Sequence, residues 1–239
     1  MPECPDLVMP ECLALAVDKH NLWKNGQNLR VKFLGGTESV HKQVERFAKE
    51  WENYANIKFC FVSDGDADIR ISFYQHVGSH SQVGNTALNV VRGEPTMNLA
   101  ITDKTDSRNL KRLVLHEFGH ALGCIHEHCS PGASIQWDVE EVYSSYQKQG
   151  WDRLKVRQNI LRKYSLGRSK FSKFDPESIM TYTIPRSHTK TGFSVHYNWE
   201  LSTIDKKFIA KMYPKPGRQT DISLQIADAI TAVVSRISL

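Results

Sequence analysis

The sequence predicts an α+β fold, in which a twisted sheet with a long helix packed on it precedes a part made of helices and loops. Strand-like segments, with apolar residues that alternate with polar ones or form short runs, lie in the first hundred residues. One amphipathic helix lies among them, and helical periodicity dominates after residue 106. With 239 residues, of which 40% are hydrophobic and 24% charged, the chain has ordinary globular composition, and we expect two lobes separated by a cleft.

The first lobe is predicted from five segments. Residues 29–34 alternate apolar and basic side chains, which is typical of a strand. Residues 38–54 repeat apolar side chains at helical spacing and predict the long helix. Residues 57–62 and 69–73 are predicted to be two further strands, separated by a Gly/Asp turn. Residues 97–101 are predicted to form a short edge strand.

The second lobe is predicted to consist mainly of helices and loops. Asp106 or Ser107 is placed to cap the helix that precedes this lobe. Residues 139–149 and 154–164 show helical patterns, and residues 201–213 predict a closing helix with apolar side chains on one face.

The end of the helix after residue 106 has the residues of a catalytic zinc site. His116 and His120 are four residues apart, so on a helix their imidazoles lie on one face, one turn apart. Glu117 lies beside them, and Gly123 allows a sharp turn because only glycine takes a positive φ at little cost. The turn returns the chain so that His126 can supply a third nitrogen. Three protein ligands leave one position open for water, which is typical of catalytic rather than structural zinc.

Simpler interpretations exist for these residues. A helical His pair can be a hydrogen-bonded core pair, and the five-residue pattern HExxH alone recurs by chance. Met180 can be a plain core residue, because methionine fills gaps in many interiors. Tyr182 can be an ordinary buried tyrosine. Here, however, a glycine and a third histidine follow at the required offsets, so we expect one zinc ion per chain.

The extended pattern resembles that of the metzincin zinc endopeptidases, which is H-E-x-x-H-x-x-G-x-x-H followed by a Met-turn. The Met-turn candidate is Ser178-Ile179-Met180-Thr181-Tyr182, and its tyrosine is similar to that of the astacin and serralysin branches. The segment Leu201-Ser202-Thr203-Ile204-Asp205 looks like the start of the closing helix of astacin-like domains. The sequence therefore resembles an astacin-like metzincin over about residues 20–213.

This resemblance implies a zincin fold with a twisted, mostly parallel sheet and helices in the N-terminal lobe, an active-site helix, and a C-terminal lobe of helices and loops. It assigns His116, His120 and His126 as zinc ligands, Glu117 as the general base, Tyr182 as a group that can ligate zinc and swing to the transition state, and Met180 as the floor of the site. It also implies that substrates bind as an extended strand at the sheet edge, near residues 97–101.

The predicted function is a zinc metalloendopeptidase that hydrolyses peptide bonds in protein or peptide substrates. One alternative is a catalytically silent zinc-binding or peptide-binding module of the same fold, and another is a zinc-dependent amidase with different substrates. The intact Glu117 argues against the silent module, because loss of that base is the simplest way to disable the site. The resemblance also gives Glu127 the role of anchoring a freed N-terminus, and a supporting or solvated carboxylate is equally compatible with its position.

The chain is predicted to consist of an N-terminal extension (residues 1–20), a catalytic domain (residues 21–213) and a C-terminal tail (residues 214–239). Pro214-Lys215-Pro216-Gly217 breaks the preceding helix. Apolar residues beyond it recur at helical spacing, which predicts a helix docked on its own domain. A partner helix or a membrane-surface helix is the alternative, and the few basic residues argue against the membrane.

Composition and charge exclude several partner classes. The net charge of +5 is mild and the basic residues are scattered, so no nucleic-acid partner is expected. No stretch approaches the roughly 18 apolar residues of a membrane span, so we expect no membrane partner, and we expect a monomer. Five cysteines are too sparse for a disulfide framework. The first residues do not follow the signal-peptide pattern, which predicts a cytoplasmic location by default, whereas the family resemblance implies secretion.

Overall fold

The computed structural model describes residues 17–18, 21–163, 169–170 and 174–217. Its strands are, in chain order, β1 (Val17–Asp18), β2 (Asn28–Phe33), β3 (Lys58–Phe61), β4 (Ile69–Ser72), β5 (His80–Ser81), β6 (Met97–Asn98) and β7 (Ser169–Lys170). Its α-helices are α1 (Glu38–Ala48), α2 (Ser107–Ala121), α3 (Val139–Gln147), α4 (Arg153–Val156) and α5 (Thr203–Met212).

A five-stranded sheet forms the first lobe, in the spatial order β3-β2-β4-β6-β5. The first four of these strands are parallel, and β5 pairs antiparallel with β6. Strands β1 and β7 form a separate antiparallel pair. The predicted α+β class and the mostly parallel sheet are confirmed.

The edge strand of this sheet differs from the prediction. Residues 97–101 were expected to form it, but β6 pairs with β4 on one side and with β5 on the other. The edge strand on this side of the sheet is β5, which the sequence did not predict. Its pairing places Ser81 beside Met97 and His80 beside Asn98. A strand of two residues is too short to produce an alternating pattern, so no sequence signal marks it.

The sheet packs its apolar face on α1 and α2. In β2 the side chains of Leu29 and Val31 are fully buried while that of Arg30 is exposed, as the alternation predicts. Helix α1 starts at Thr37, whose hydroxyl accepts a hydrogen bond from the Val40 amide (3.3 Å).

Helix α1 is shorter than predicted. It ends at Ala48, and a 3-10 turn, Trp51–Asn53, takes the place of its predicted last turns. A contact with α2 accounts for this turn. The indole N–H of the buried Trp51 donates to the carbonyl of Leu115 on α2 (3.0 Å), and this contact fixes where the side chain must point.

Helix α2 crosses the core and has partners at both ends. At its start the Asp106 carboxylate accepts hydrogen bonds from the amides of Arg108 and Asn109, as predicted. At its end, where helix carbonyls lack intrahelical partners, Ala121 accepts from the Trp23 indole (2.7 Å) and Leu122 from the Tyr213 hydroxyl (2.8 Å).

The second lobe has its own small core under α3 and α4. The predicted helix at 139–149 is present as α3, and that at 154–164 is α4 continued by a π-helical turn, Arg157–Leu161. Residue 164 lies outside the described residues. The core of this lobe consists of Val142, Tyr146, Trp151, Val156 and Ile160.

Residues near the start and the end of the range 21–217 contact each other. The side-chain amide of Asn25 donates to the carbonyl of Pro214 (3.0 Å), and the Asn56 amide donates to the carbonyl of Tyr213 (2.8 Å). The predicted tail helix beyond residue 217, and most of the predicted N-terminal extension, lie outside the described residues. Among the helices in the described ranges, none combines the length and apolarity that a membrane crossing requires.

Candidate active site

Three buried imidazoles converge at the end of α2. His116 and His120 project from one face of the helix, and Gly123 (φ +95°) turns the chain so that His126 meets them. The Nε2 atom of His126 lies 3.3 Å from that of His116 and 3.1 Å from that of His120. All three side chains are less than a tenth exposed. The predicted histidine triad is therefore assembled as the spacing required.

The outer nitrogens of two of these rings have carbonyl partners. The Nδ1 atom of His116 lies 2.8 Å from the Ile179 carbonyl, and that of His120 lies 2.8 Å from the Cys124 carbonyl. Because a carbonyl oxygen can only accept, each Nδ1 must carry the proton. This leaves the Nε2 lone pairs of both rings facing the centre.

Burial keeps the triad neutral. It is the main cause that lowers the pKa of His120 to about 4 and holds the pKa values of His116 and His126 well below the ordinary imidazole range. The three ligand atoms all lie within 4.8 Å of one another, so they can hold a single metal ion. Neutral imidazole donors in this number, with no thiolate or further carboxylate in the group, fit zinc with an open coordination position.

Glu117 lies next to the triad, and its side chain is only 3% exposed. It lines a cleft together with His116, Arg112, Tyr146, Trp151 and Tyr197. The cleft is therefore bounded by His116 and Glu117 on α2, by aromatic residues of the second lobe, and by the segment after the Met-turn. A peptide bond in this cleft would lie beside both His116 and Glu117.

The predicted Met-turn residues lie against the triad. Met180 is fully buried beneath α2, where its sulfur packs on the backbone of Gly119. The ring of Tyr182 has its centroid 4.0 Å from that of His126. The Tyr182 hydroxyl is buried and has no hydrogen-bond partner among the described residues. Both side chains are thus in contact with the site, as the resemblance implied.

Two neighbours of His126 are also buried. The Glu127 carboxylate accepts a hydrogen bond from the Asp175 amide (3.0 Å), and the Glu127 amide donates to the Met180 carbonyl (3.2 Å). Glu127 is 2% exposed, so the interpretation as a solvated carboxylate is wrong. Burial is the main cause that raises its pKa to about 8. His128 stacks on His126, with its Nε2 atom 3.0 Å from the Asn159 carbonyl, and is not part of the metal-binding group.

Comparison with known proteins identifies the family. The family model of Astacin, a peptidase family, matches residues 16–214. The chain belongs to the astacin family. Members of this family are zinc metallopeptidases, so the predicted family, enzyme class and cofactor are confirmed.

Solved structures agree with this membership. A structure of myroilysin is similar to this astacin with a TM-score of 0.82 and 43% identity, over 84% of this chain and 98% of that one. High choriolytic enzyme 1, a hatching enzyme zinc-protease from Oryzias latipes, matches with a TM-score of 0.59 and 16% identity, over 82% of this chain and 95% of that one. The second likeness is one of fold alone.

Curated relatives match a shorter part of the astacin chain. Stromelysin-2 from Rattus norvegicus is 32% identical over 103 residues, which are 37% of this chain and 21% of that protein. Stromelysin-1 from Mus musculus is 31% identical over 103 residues, which are again 37% of this chain and 21% of that protein. The chain spans about a fifth of the length of these relatives.

Proposed function

We propose that this astacin is an endopeptidase in which His116, His120 and His126 bind the zinc ion and Glu117 is the general base. The observation that supports the proposal most is the convergence of three buried, neutral imidazole nitrogens beside the Glu117 carboxylate, in a cleft that is open to a substrate. We further propose that residues 21–213 form the catalytic domain.

His116, His120 and His126 would hold the zinc ion, which would supply Lewis acidity toward the scissile carbonyl and would lower the pKa of water to about 7. The residues of the chain move the proton. Glu117 accepts it from the attacking water as the new carbon–oxygen bond forms, and delivers it to the leaving nitrogen as the carbon–nitrogen bond breaks. The products are a carboxylate and an amine, and no covalent enzyme intermediate is required.

Tyr182 is proposed to assist this step. Its hydroxyl is buried beside His126 without a partner among the described residues, and a buried hydroxyl is costly to leave unpaired. A developing oxyanion on the substrate would give the hydroxyl an acceptor, so the bond would stabilise the transition state more than the ground state.

The substrate is proposed to bind along β5 rather than along β6. Strand β5 pairs on one side only within the described sheet, and the preceding residue, Ser79, lines the cleft. An extended peptide can therefore add to the free edge of β5 through backbone hydrogen bonds, with its scissile bond carried to the triad.

Zinc content and turnover of one peptide substrate test this assignment. Glu117→Ala and Glu117→Gln should retain the fold and the zinc but lose roughly 10²–10⁴-fold in kcat, which is the usual contribution of general acid–base assistance. His120→Ala should lose zinc. The exposed Glu177 and His196 offer matched controls, because Glu177→Gln and His196→Ala remove the same chemical groups at residues that do not line the cleft.

Near wild-type turnover in a zinc-loaded Glu117 variant would refute the general-base assignment. Full zinc retention in His120→Ala would refute the ligand assignment. The silent-module alternative predicts peptide binding without turnover in the unmodified protein, and the buried Glu117 beside the triad does not favour it. The compartment, the monomeric state and the absence of a nucleic-acid partner stay predictions.

A further inference from the structure

The start of α5 has a hydrogen-bond pattern that exceeds what a helix end requires. Ser202 and Asp205 form a reciprocal capping box, in which the Ser202 hydroxyl accepts from the Asp205 amide and the Asp205 carboxylate accepts from the Ser202 amide (2.9 Å each). The same carboxylate accepts two further hydrogen bonds from the Met-turn. The Ile179 amide donates to Oδ2 (2.9 Å) and the Ser178 hydroxyl donates to Oδ1 (2.6 Å).

One of these bonds connects Asp205 to the histidine triad through Ile179. The amide N–H of Ile179 is held by Asp205, and its carbonyl is the acceptor for Nδ1 of His116 (2.8 Å). Ile179 and Ser178 are 2% and 1% exposed, so water does not compete for these groups. Asp205 itself is 8% exposed. The segment that presents the acceptor carbonyl to His116 is thus fixed by a carboxylate from a helix that contributes nothing to the metal-binding group.

We propose that Asp205 is a positioning residue for the zinc centre, which acts by holding the Ile179 carbonyl against His116. The proposal rests on the assignment of His116 as a zinc ligand. A carbonyl partner on the outer nitrogen fixes the tautomer and the orientation of a ligating imidazole, and loss of such a partner typically costs about 10–100-fold in metal affinity. Loss of the Asp205 carboxylate frees Ile179 to rotate, and His116 then loses a fixed acceptor.

A second connection runs from the same turn of α5 toward the third histidine. The Ser202 hydroxyl donates to the Asp175 carboxylate (2.6 Å), and the Asp175 amide donates to Glu127, the residue after His126. Ser202 is therefore unsuitable as a control. Thr37 is a better one, because its hydroxyl caps α1 and has no contact with the Met-turn.

The test compares Asp205→Ala, Asp205→Asn and Thr37→Ala in the full chain. Zinc affinity is measured by competition with a chelator at a temperature where thermal unfolding shows each protein to be folded, and the visible spectrum is recorded after cobalt substitution. Asp205→Ala should lower zinc affinity by about 10–100-fold and alter the cobalt spectrum. Asp205→Asn should lie closer to the unmodified protein, because the amide oxygen still accepts from both backbone amides. Thr37→Ala should destabilise the fold but leave zinc affinity and spectrum unchanged.

Equal zinc affinity and equal spectra for Asp205→Ala and the unmodified protein would overturn the proposal, as would a loss no greater than that in Thr37→Ala. If Asp205→Ala does not fold, Ser178→Ala replaces it. This change removes the hydrogen bond from the Ser178 hydroxyl to Asp205 and the one that this hydroxyl accepts from the Met180 amide, and it keeps the helix cap. Unchanged zinc affinity in that variant would also overturn the proposal. The His120→Ala variant separates the two proposals. If His120→Ala loses zinc and Asp205→Ala retains it fully, only the positioning role is refuted. If His120→Ala retains zinc, the ligand assignment is refuted.

Discussion

Replacement of Gly119 by alanine tests the contact between α2 and the Met-turn. Gly119 lies on α2 between Glu117 and His120, and a Cβ atom there would overlap the sulfur of Met180 and approach Cζ2 of Trp51 to 3.1 Å. Met180 is fully buried and Trp51 is 1% exposed. The Trp51 indole is also tied to Leu115, so neither side chain has free space into which it can move.

Two opposing terms set the size of the effect. Alanine is favoured over glycine inside a helix by about 1 kcal/mol. Insertion of a methyl group into a well-packed core costs about 1–3 kcal/mol, and the fixed neighbours place this site in the upper half of that range. The expected net change is a loss of about 1–2 kcal/mol in the free energy of unfolding. For a chain of this size, 1 kcal/mol lowers Tm by about 2–4 °C.

Thermal unfolding of the chelator-treated protein isolates this packing effect from zinc binding. Met180→Ala alone should cost about 2–5 kcal/mol through the cavity that it creates. In the double variant the methyl group introduced at position 119 fills part of that cavity, so the combined loss should fall short of the sum by at least about 1 kcal/mol. A Gly119→Ala protein that is more stable than the original, or additivity within about 0.5 kcal/mol, would show that the two residues are not in contact.

Two further variants test groups beside the triad. Tyr182→Phe should lower kcat. Zinc content should stay constant because three histidines remain, and Tm should not fall because the hydroxyl has no partner to lose among the described residues. An unchanged kcat would exclude a catalytic role for the hydroxyl. For Glu127, the unfolded chain releases its proton near pH 4.5, whereas the folded chain retains it to about pH 8, so between these values the folded state loses stability as the pH rises. Glu127→Gln should remove this loss of stability with rising pH. The variant should therefore be more stable than the original at about pH 8 and equally stable at about pH 4. A stability difference that does not change with pH would contradict burial as the cause of the raised pKa.

The candidate site could be predicted almost entirely from the sequence, because its geometry is local. The helical repeat places His116 and His120 on one face, and a glycine at the helix end returns His126, so a segment of eleven residues contains the triad. The Met-turn required the family resemblance, since nothing in the residues alone separates Met180 from other buried methionines.

The parts that the sequence did not predict depend on contacts between distant segments. Strand β5 has two residues and exists through its pairing with β6. The end of α1 is set by the contact of Trp51 with Leu115, 64 residues away. The bonds from Asp205 to the Met-turn span 26 and 27 residues, although the sequence did identify residues 201–205 as the start of the closing helix. A capping pattern predicts where a helix starts, but not which other groups the capping carboxylate also holds.

The hydrogen bond between Asn25 and Pro214 joins two segments that are 189 residues apart in the sequence. A short Gly/Ser connector from the chain after Pro214 to the chain before Asn21 would keep Trp23, whose indole is bonded to Ala121, and would so leave the core intact. New termini could then be opened at the exposed Asp64-Gly65-Asp66 turn, away from the cleft. The same proximity allows residues 21–217 to be inserted into a loop of another protein as a cassette, because both junctions would lie near this contact.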